Sequence, residues 1–343
     1  MNQAQLDELL DQLPHRHVLV VGDFFLDEYL IIDRQLSEIS LETNLEAHQV
    51  IDVRCSPGAA GTVVSNLRAL GVKVSVLGII GDDGRGHDLK RGLLERGADV
   101  EPLIERAAFL TSTYTKPMVH ESDGRIYEIQ RLDIKNRFPL SADLEDAIID
   151  RLRRWVPQVD GVIVVDQIPE PNCGVVTDRV RAEIGALAVQ NPEVVFAADS
   201  RIAIGLYRHV IIKPNAQEAI LAVHPDWTGE IGAEVAKTCG AELFRQNQMP
   251  VFLTLGDQGM LLFTAGGCEH IPAVTVNGEI DIVGAGDSVM AAIVSALCSG
   301  AEPKDAAMLG NLVASITIQQ IGTTGTATPS QVREQFGRIS QDE

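Results

Sequence analysis

The sequence is poor in basic residues and in aromatics. Lysine and arginine total 28 against 48 aspartates and glutamates, a formal net charge of −20, and aromatics make up only 4% of the chain. With no basic stripe, the composition argues against nucleic acid and anionic membrane as partners and reads as a solvated acidic surface. The cysteines, Cys55, Cys173, Cys239, Cys268 and Cys298, are odd in number, widely spaced and without a Cys-x-x-Cys pair. Neither a disulfide framework nor a thiolate metal site is suggested. No apolar run reaches membrane-spanning length, and the opening MNQAQLDELLDQL is acidic and amphipathic rather than basic then apolar. A reduced cytoplasm is the expected location. Two nucleotide-binding fingerprints are missing as well. The first strand-like run is followed by GDFFLD rather than Gly-x-Gly-x-x-Gly, GDDGRG has the wrong spacing, and no Gly-x4-Gly-Lys-Ser/Thr occurs. A Rossmann dehydrogenase and a Walker-type ATPase are therefore disfavoured.

What is present is a chain of 343 residues, 45% apolar, long enough to bury a large core. Short apolar runs at 17–23, 74–80, 162–166, 194–199, 209–215 and 251–256 alternate with helical patterns near 58–70, 86–97, 172–190, 216–223 and 230–247. That alternation predicts β-α-β units around a doubly covered, mostly parallel sheet. Two segments, about 28–56 and 109–133, break the rhythm, the second with a hairpin signal at Asp123-Gly124. They are expected to form a small lid sheet on a single domain spanning 1–343, since no linker or internal repeat divides the chain.

The stretch DIVGAGDSVMAAIVSAL, 281–297, carries the clearest chemistry. Val289, Ile293, Ala296 and Leu297 share a helical face, so a helix starts near 285–287 with its first amides turned toward Gly284 and Gly286. Such a terminus, stripped of side chains, suits an approaching phosphate. Asp287 in the first turn is either a cap or a base that takes a proton from a hydroxyl attacking a phosphoryl group.

DIVGAGD resembles the signature of the PfkB, or ribokinase-like, carbohydrate kinases. SPGAAGTVVSNLRALG (56–71), GIIGDDGRGHDLKRGLLERGAD (78–99), KPNAQE (213–218) and TLGDQG (254–259) resemble further family elements in the family's order. Within the family, GDFFLDEY (22–29), TSTYTKPMV (111–119) and QRLD (130–133) are most similar to the kinase domain of bacterial heptose-phosphate kinases. Those are often fused to a nucleotidyltransferase, whose His-x-Gly-His element does not occur here, so a stand-alone kinase is expected.

The resemblance implies an α/β ribokinase-like fold and ATP-dependent phosphoryl transfer to a sugar hydroxyl. Asp287 would be the base, and the amides of Gly284, Ala285 and Gly286 the anion hole. Asn215 and Glu218 would organise Mg²⁺ through water, with a capping box as the structural alternative. Thr254, Gly256, Gly259 and Asn311 would line the nucleotide, against a tight turn and a polar helix residue as the plainer readings. Asp281 and Val283 would lend oxygens to a monovalent cation such as K⁺. On the acceptor side the candidates are Asp27, then Asp23, with Gly58, Thr62, Lys116 and Arg131; closing a turn is the structural alternative for Asp23.

Three departures bear on substrate. The signature's glycine pair is Gly58-Ala59, its sugar-contacting asparagine is Thr62, and QIPEP (167–171) replaces a lysine-bearing turn. Glu170 there would repel a phosphate if it faced the site. These favour an unphosphorylated sugar or polyol, with a sugar phosphate held by Lys116 or Arg131 as the alternative. A non-catalytic sugar- or nucleotide-binding regulator is the rival of another class, and the intact GAGD and Asn-x-x-Glu elements argue against it. A homodimer through apolar lid positions such as Tyr29, Ile31, Tyr114 and Met118 is the expected assembly.

Overall fold

The computed structural model describes residues 1–342. Its main sheet has eight strands in the order Gly267–Ile271, Met260–Thr264, Val251–Thr254, Ile211–Ile212, Val195–Ser200, Gly161–Asp166, His17–Gly22, Lys73–Leu77. Pairing is parallel from Val251–Thr254 to Lys73–Leu77, and antiparallel for the two strands at the other edge. Burial on both faces follows from the unbroken apolar runs. Val18 and Val20 enter one core with Val63, Leu89 and Val289, whereas Leu19 and Val21 enter the opposite core with Ile148 and Val180. Strand residues alternate sides, so each run serves two helical layers.

Several sequence boundaries shift. The run 74–80 is divided: Lys73–Leu77 joins the main sheet, and Ile79–Gly81 pairs with Ile104–Arg106 in a separate two-stranded sheet. The helix expected over 172–190 forms only at Asp178–Gln190, where Thr177 accepts from the Val180 amide as its cap. Strand 209–215 shrinks to Ile211–Ile212, because Pro214 and the cap at Asn215 end it.

The segments expected to form a lid build a five-stranded sheet. Phe24–Ile39 lies between Glu46–Ala59, antiparallel to it, and Thr113–His120, parallel to it; Ile126–Glu128 and Leu132–Ile134 both pair with Thr113–His120. It begins at Phe24, one residue beyond the first main strand and Asp23, so strand one runs almost directly into the lid. The hairpin at Asp123-Gly124 is there, with Gly124 at φ 87°. The exposed apolar lid positions are not those anticipated: Ile31 is buried, and Tyr29, Tyr114 and Met118 are partly covered. Ile39, Val50, Ile51, Val53, Ile126 and Leu132 are exposed instead. No helix among the described residues is long and apolar enough to cross a membrane.

Candidate active site

The parallel strands end along one edge of the sheet, and the charged residues that follow them gather there, as ligand-binding groups do in open α/β sheets. Asp199 comes from Val195–Ser200, Lys213 follows Ile211–Ile212, and Asn215 pairs in an isolated parallel bridge with Thr254. Helix Ala285–Cys298 points its N-terminus at this edge. Its cap is Gly284 at φ 80°, a left-handed conformation that glycine adopts without strain, and no side chain caps the helix. Asp287 therefore does not act as the cap. The amides of Gly284, Gly286 and Asp287 have no protein partner among the described residues, but the Ala285 amide donates to Ile282 O at 3.1 Å. The anticipated anion hole thus loses Ala285, whose N–H is spent on the turn.

Asp287 is partly buried, and its carboxyl is pushed up to about 7, first by desolvation and then by Asp199; Lys213 and Arg201 pull it down, and Asp27 raises it slightly. A base poised near neutral pH suits proton abstraction from an alcohol during attack. Lys213 is 4% exposed and its Nζ lies 2.8 Å from Asp199 Oδ2. Burial disfavours the ammonium, yet Asp199, Glu218 and Asp287 outweigh it and hold its pKa above the ordinary value.

Asn215 and Glu218 form the anticipated capping box. The Asn215 side chain accepts from the Glu218 amide at 2.9 Å, and Glu218 Oε2 accepts from the Asn215 amide at 2.8 Å. Desolvation and the nearby Asp199 raise the Glu218 pKa, so a cation arriving there would be favoured. Among the described residues no group of three or more His, Cys, Asp or Glu could enclose a metal.

A cavity of ≈ 290 Å³ adjoins these residues, lined by Asn215, Gln217, Ile231, Thr254, Gly256 and Gln258. The larger cavities, ≈ 650 and ≈ 550 Å³, lie along helix Asp178–Gln190 and contain none of the site residues. Two anticipated nucleotide residues also have scaffold roles. Gly259 has φ 86°, and a Cβ there would sit 2.2 Å from Ile271 O. Asn311 is buried and its amide donates to Ile271 O and Pro272 O at 3.1 and 2.8 Å. Asn311 fastens the edge strand, and the missing side chain at Gly259 lets that strand pass close by. Asp281 accepts from the Val283 amide at 3.0 Å and the Gly322 amide at 3.2 Å, tying two loops beside the helix N-terminus.

On the acceptor side, Asp27 Oδ1 lies 2.9 Å from Lys116 Nζ, which also contacts the Tyr29 hydroxyl at 3.2 Å. Gly58 lies directly against this carboxylate: a Cβ there would be 2.3 Å from Asp27 Oδ2. Thr62 is buried, and a Cβ on Gly284 would meet its methyl at 3.2 Å, placing Thr62 beside the glycine loop. Asp23 takes its structural alternative. It is 3% exposed and accepts from the amides of Gln167, Ile168 and Val175 at 2.8, 3.0 and 2.9 Å. Its buried carboxylate anchors the QIPEP turn at the root of the lid through these three amides. Glu170 in that turn is 3.4 Å from Arg137, so its charge is compensated.

Around Tyr114 the lid gathers cations. Arg131 and Lys135 lie 4.5 and 5.7 Å from its ring centroid, and Arg201 is within electrostatic reach. Arg131 is also bonded through two nitrogens to Asp133. Asp199, Lys213, Arg201 and Lys135 were not singled out in the sequence. The available signal was a charged residue closing an apolar strand, as in VVFAAD and HVIIKPN, and it lacked the partner that only the topology supplies.

Residues 18–331 match the description pfkB family carbohydrate kinase. The chain is 31% identical over 352 residues to the bifunctional protein HldE of Citrifermentans bemidjiense, covering 100% of this chain and 68% of that protein. It is 30% identical over 336 residues to the bifunctional protein HldE of Trichlorobacter lovleyi, covering 97% and 65%. The chain thus spans about two thirds of the length of these relatives, which match the anticipated likeness to heptose-phosphate kinases. Among solved structures, phosphofructokinase-2 from Escherichia coli in complex with potassium has a TM-score of 0.69 at 17% identity, covering 95% of this chain and 99% of its own. Arabidopsis thaliana ribokinase complexed with ribose and ATP gives 0.66 at 18% identity, covering 94% and 98%. The latter two show the ribokinase-like fold, and the match over 18–331 places the chain in the pfkB carbohydrate kinase family.

Proposed function

We propose that this protein moves the γ-phosphoryl of ATP to a hydroxyl of a phosphorylated sugar. The observation that carries the transfer is the uncapped helix N-terminus with Asp287 in its first turn, electrostatically coupled to Asp27 across the site. The acceptor would lie on Asp27, whose carboxylate can accept from adjacent hydroxyls. Asp287 would take the proton of the attacking hydroxyl, while the amides of Gly284 and Gly286 would receive charge developing on the phosphoryl oxygens. Nucleotide would occupy the groove at Asn215, Thr254 and Gly256. When bound, Mg²⁺ would neutralise phosphate charge, with Glu218 holding its water shell. The loop carbonyl of Val283, fixed by Asp281, is the reading for a monovalent-cation ligand.

A phosphorylated acceptor is favoured over the free sugar for two reasons. Glu170, the expected repulsive group, is engaged by Arg137, and a chain of strong negative charge places Lys135 and Arg201 about the acceptor side, beside Lys116 and Arg131, which are paired with Asp27 and Asp133. The HldE relatives support the same reading, with a heptose phosphate as the first candidate. ADP release measured for matched sugars and sugar phosphates, heptoses included, tests it. Phosphates should win in kcat/KM by roughly 10²-fold, about 2.7 kcal/mol; equal rates would return the preference to a neutral acceptor.

The exposed lid residues Ile39, Ile51 and Ile126 fit a homodimer joined through lid sheets. Light scattering should show a dimer at micromolar concentration, and lysine at Ile51 should dissociate it. A cytoplasmic location completes the reading and agrees with five free cysteines.

A further inference from the structure

Lys213 occupies an unusual electrostatic position. Its ammonium is buried against the first turn of helix Ala285–Cys298: a Cβ on Gly286 would lie 3.4 Å from Lys213 Nζ. A helix N-terminus carries partial positive charge and favours anions, so a cation placed there is locally mismatched. Asp199, itself 7% exposed, compensates through the 2.8 Å ion pair. That pair uses one carboxylate on an ammonium with three donors, and no other hydrogen bond from Lys213 Nζ occurs among the described residues. A buried ammonium with spare donors and unpartnered helix amides therefore face the same small volume. Each recruits an anion, and together they form a more selective site for one than either alone.

We propose that Lys213 is a catalytic residue that contacts the phosphoryl group during transfer, and that Asp199 is the positioning residue that holds it there. The inference rests on the kinase reading above. In the step, a bond forms between the acceptor oxygen and the γ-phosphorus as the bond from that phosphorus to the β-bridging oxygen breaks. The electron pair leaves on ADP, the acceptor proton passes to Asp287, and Lys213 remains an ammonium throughout. Its donors would follow the equatorial oxygens, where charge is spread in such transition states. Its charge would also favour the ionised form of Asp287, so one side chain would serve both the base and the group transferred.

The alternative is a buried counter-ion for Asp199 with no contact to substrate, and the two differ in measurable ways. The full-length protein is compared as wild type, Lys213→Met, Lys213→Arg and Asp199→Asn, by steady-state kinetics, thermal unfolding, and calorimetric binding of Mg²⁺·ADP with and without tetrafluoroaluminate, a mimic of the phosphoryl in flight. Lys213→Met should lower kcat by at least about 10²-fold while changing ADP affinity by less than about threefold, and tetrafluoroaluminate should no longer tighten ADP binding. Lys213→Arg should recover part of kcat, and Asp199→Asn should lower kcat about tenfold with ADP binding unchanged. A folded Lys213→Met protein with kcat within about threefold of wild type would overturn the proposal, as would ADP affinity falling in step with kcat. If Lys213→Met does not fold, Asp199→Asn decides: tetrafluoroaluminate tightening equal to wild type overturns the positioning role. If the wild type transfers to no acceptor, the kinase reading fails by itself, and the tetrafluoroaluminate comparison still reports on Lys213.

Discussion

Alanine at Gly58 would perturb the acceptor side with little other change. The new Cβ would fall 2.3 Å from Asp27 Oδ2 and 3.0 Å from Cγ, so the carboxylate must retreat by about 1 Å to restore ordinary contact. The ion pair with Lys116, 2.9 Å in the native arrangement, would be displaced with it. Gly58 is not among the residues at positive φ, so alanine fits the backbone, and Gly→Ala at such a site adds about 0.4–1 kcal/mol by restricting the unfolded chain. The fold should survive and the damage should fall on substrate. A hydrogen bond to a charged group contributes about 1.5–3 kcal/mol, so losing one from Asp27 to a sugar hydroxyl predicts a fall of roughly 10- to 10²-fold in kcat/KM. The assay varies the acceptor at saturating Mg²⁺·ATP and then ATP at saturating acceptor, with unfolding followed in parallel. KM for ATP should stay within about twofold. Unchanged acceptor kcat/KM in a folded variant would refute Asp27 as the acceptor anchor, and a collapse in Tm would show that Gly58 is needed for lid packing.

Other expectations follow from the same geometry. With Asp287 pushed up to about 7, kcat/KM should rise with pH to a plateau above neutrality; no inflection near pH 7 would count against it as the base. The same shift predicts that the group's contribution to stability declines from about pH 4 to about pH 7, because the folded state there binds the proton that the unfolded state has released. Asp287→Asn should flatten that part of the profile. Glu218→Gln preserves a capping-box residue but removes the charge, so the Mg²⁺ concentration for half-maximal rate should increase about tenfold while Tm holds; an unchanged Mg²⁺ dependence would remove Glu218 from the metal's surroundings. Ala59 has φ 51° and ψ −116°, a conformation costing a non-glycine residue about 1–3 kcal/mol. Ala59→Gly should therefore raise Tm by a few degrees, and a lower Tm would show that the backbone strain is not being relieved.

That strained alanine illustrates what could be read before the fold was known. The departure of Gly58-Ala59 from a glycine pair was visible, but its meaning needed the dihedral: the second position turns the lid strand into helix Ala60–Ala69 with positive φ. The alternation of runs was legible because parallel strands buried on both faces are continuously apolar, and the glycine loop because an uncapped helix needs space around its amides. Asp23 and Asp27 were harder to separate. Four residues apart on one continuous stretch, they differ only in which neighbours the fold delivers: Asp23 meets three backbone amides of the turn after Asp166, and Asp27 meets Lys116 and the open side of the lid. Asn311 and Gly259 were assigned to nucleotide from motif position, and their scaffold roles at Ile271, a hydrogen bond from Asn311 and a close backbone approach at Gly259, needed the fold. Lys213 and Asp199 went unnoticed because they meet at the ends of neighbouring parallel strands, a contact that no local pattern encodes.

The most direct test of the account compares Asp287→Asn with wild type, by ADP release in the presence of the preferred sugar phosphate and by thermal unfolding of the same samples. The account predicts a drop in kcat of about 10²-fold or more, the usual scale for a lost general base, with Tm preserved within a few degrees. An Asp287→Asn enzyme that keeps near-wild-type kcat would contradict it.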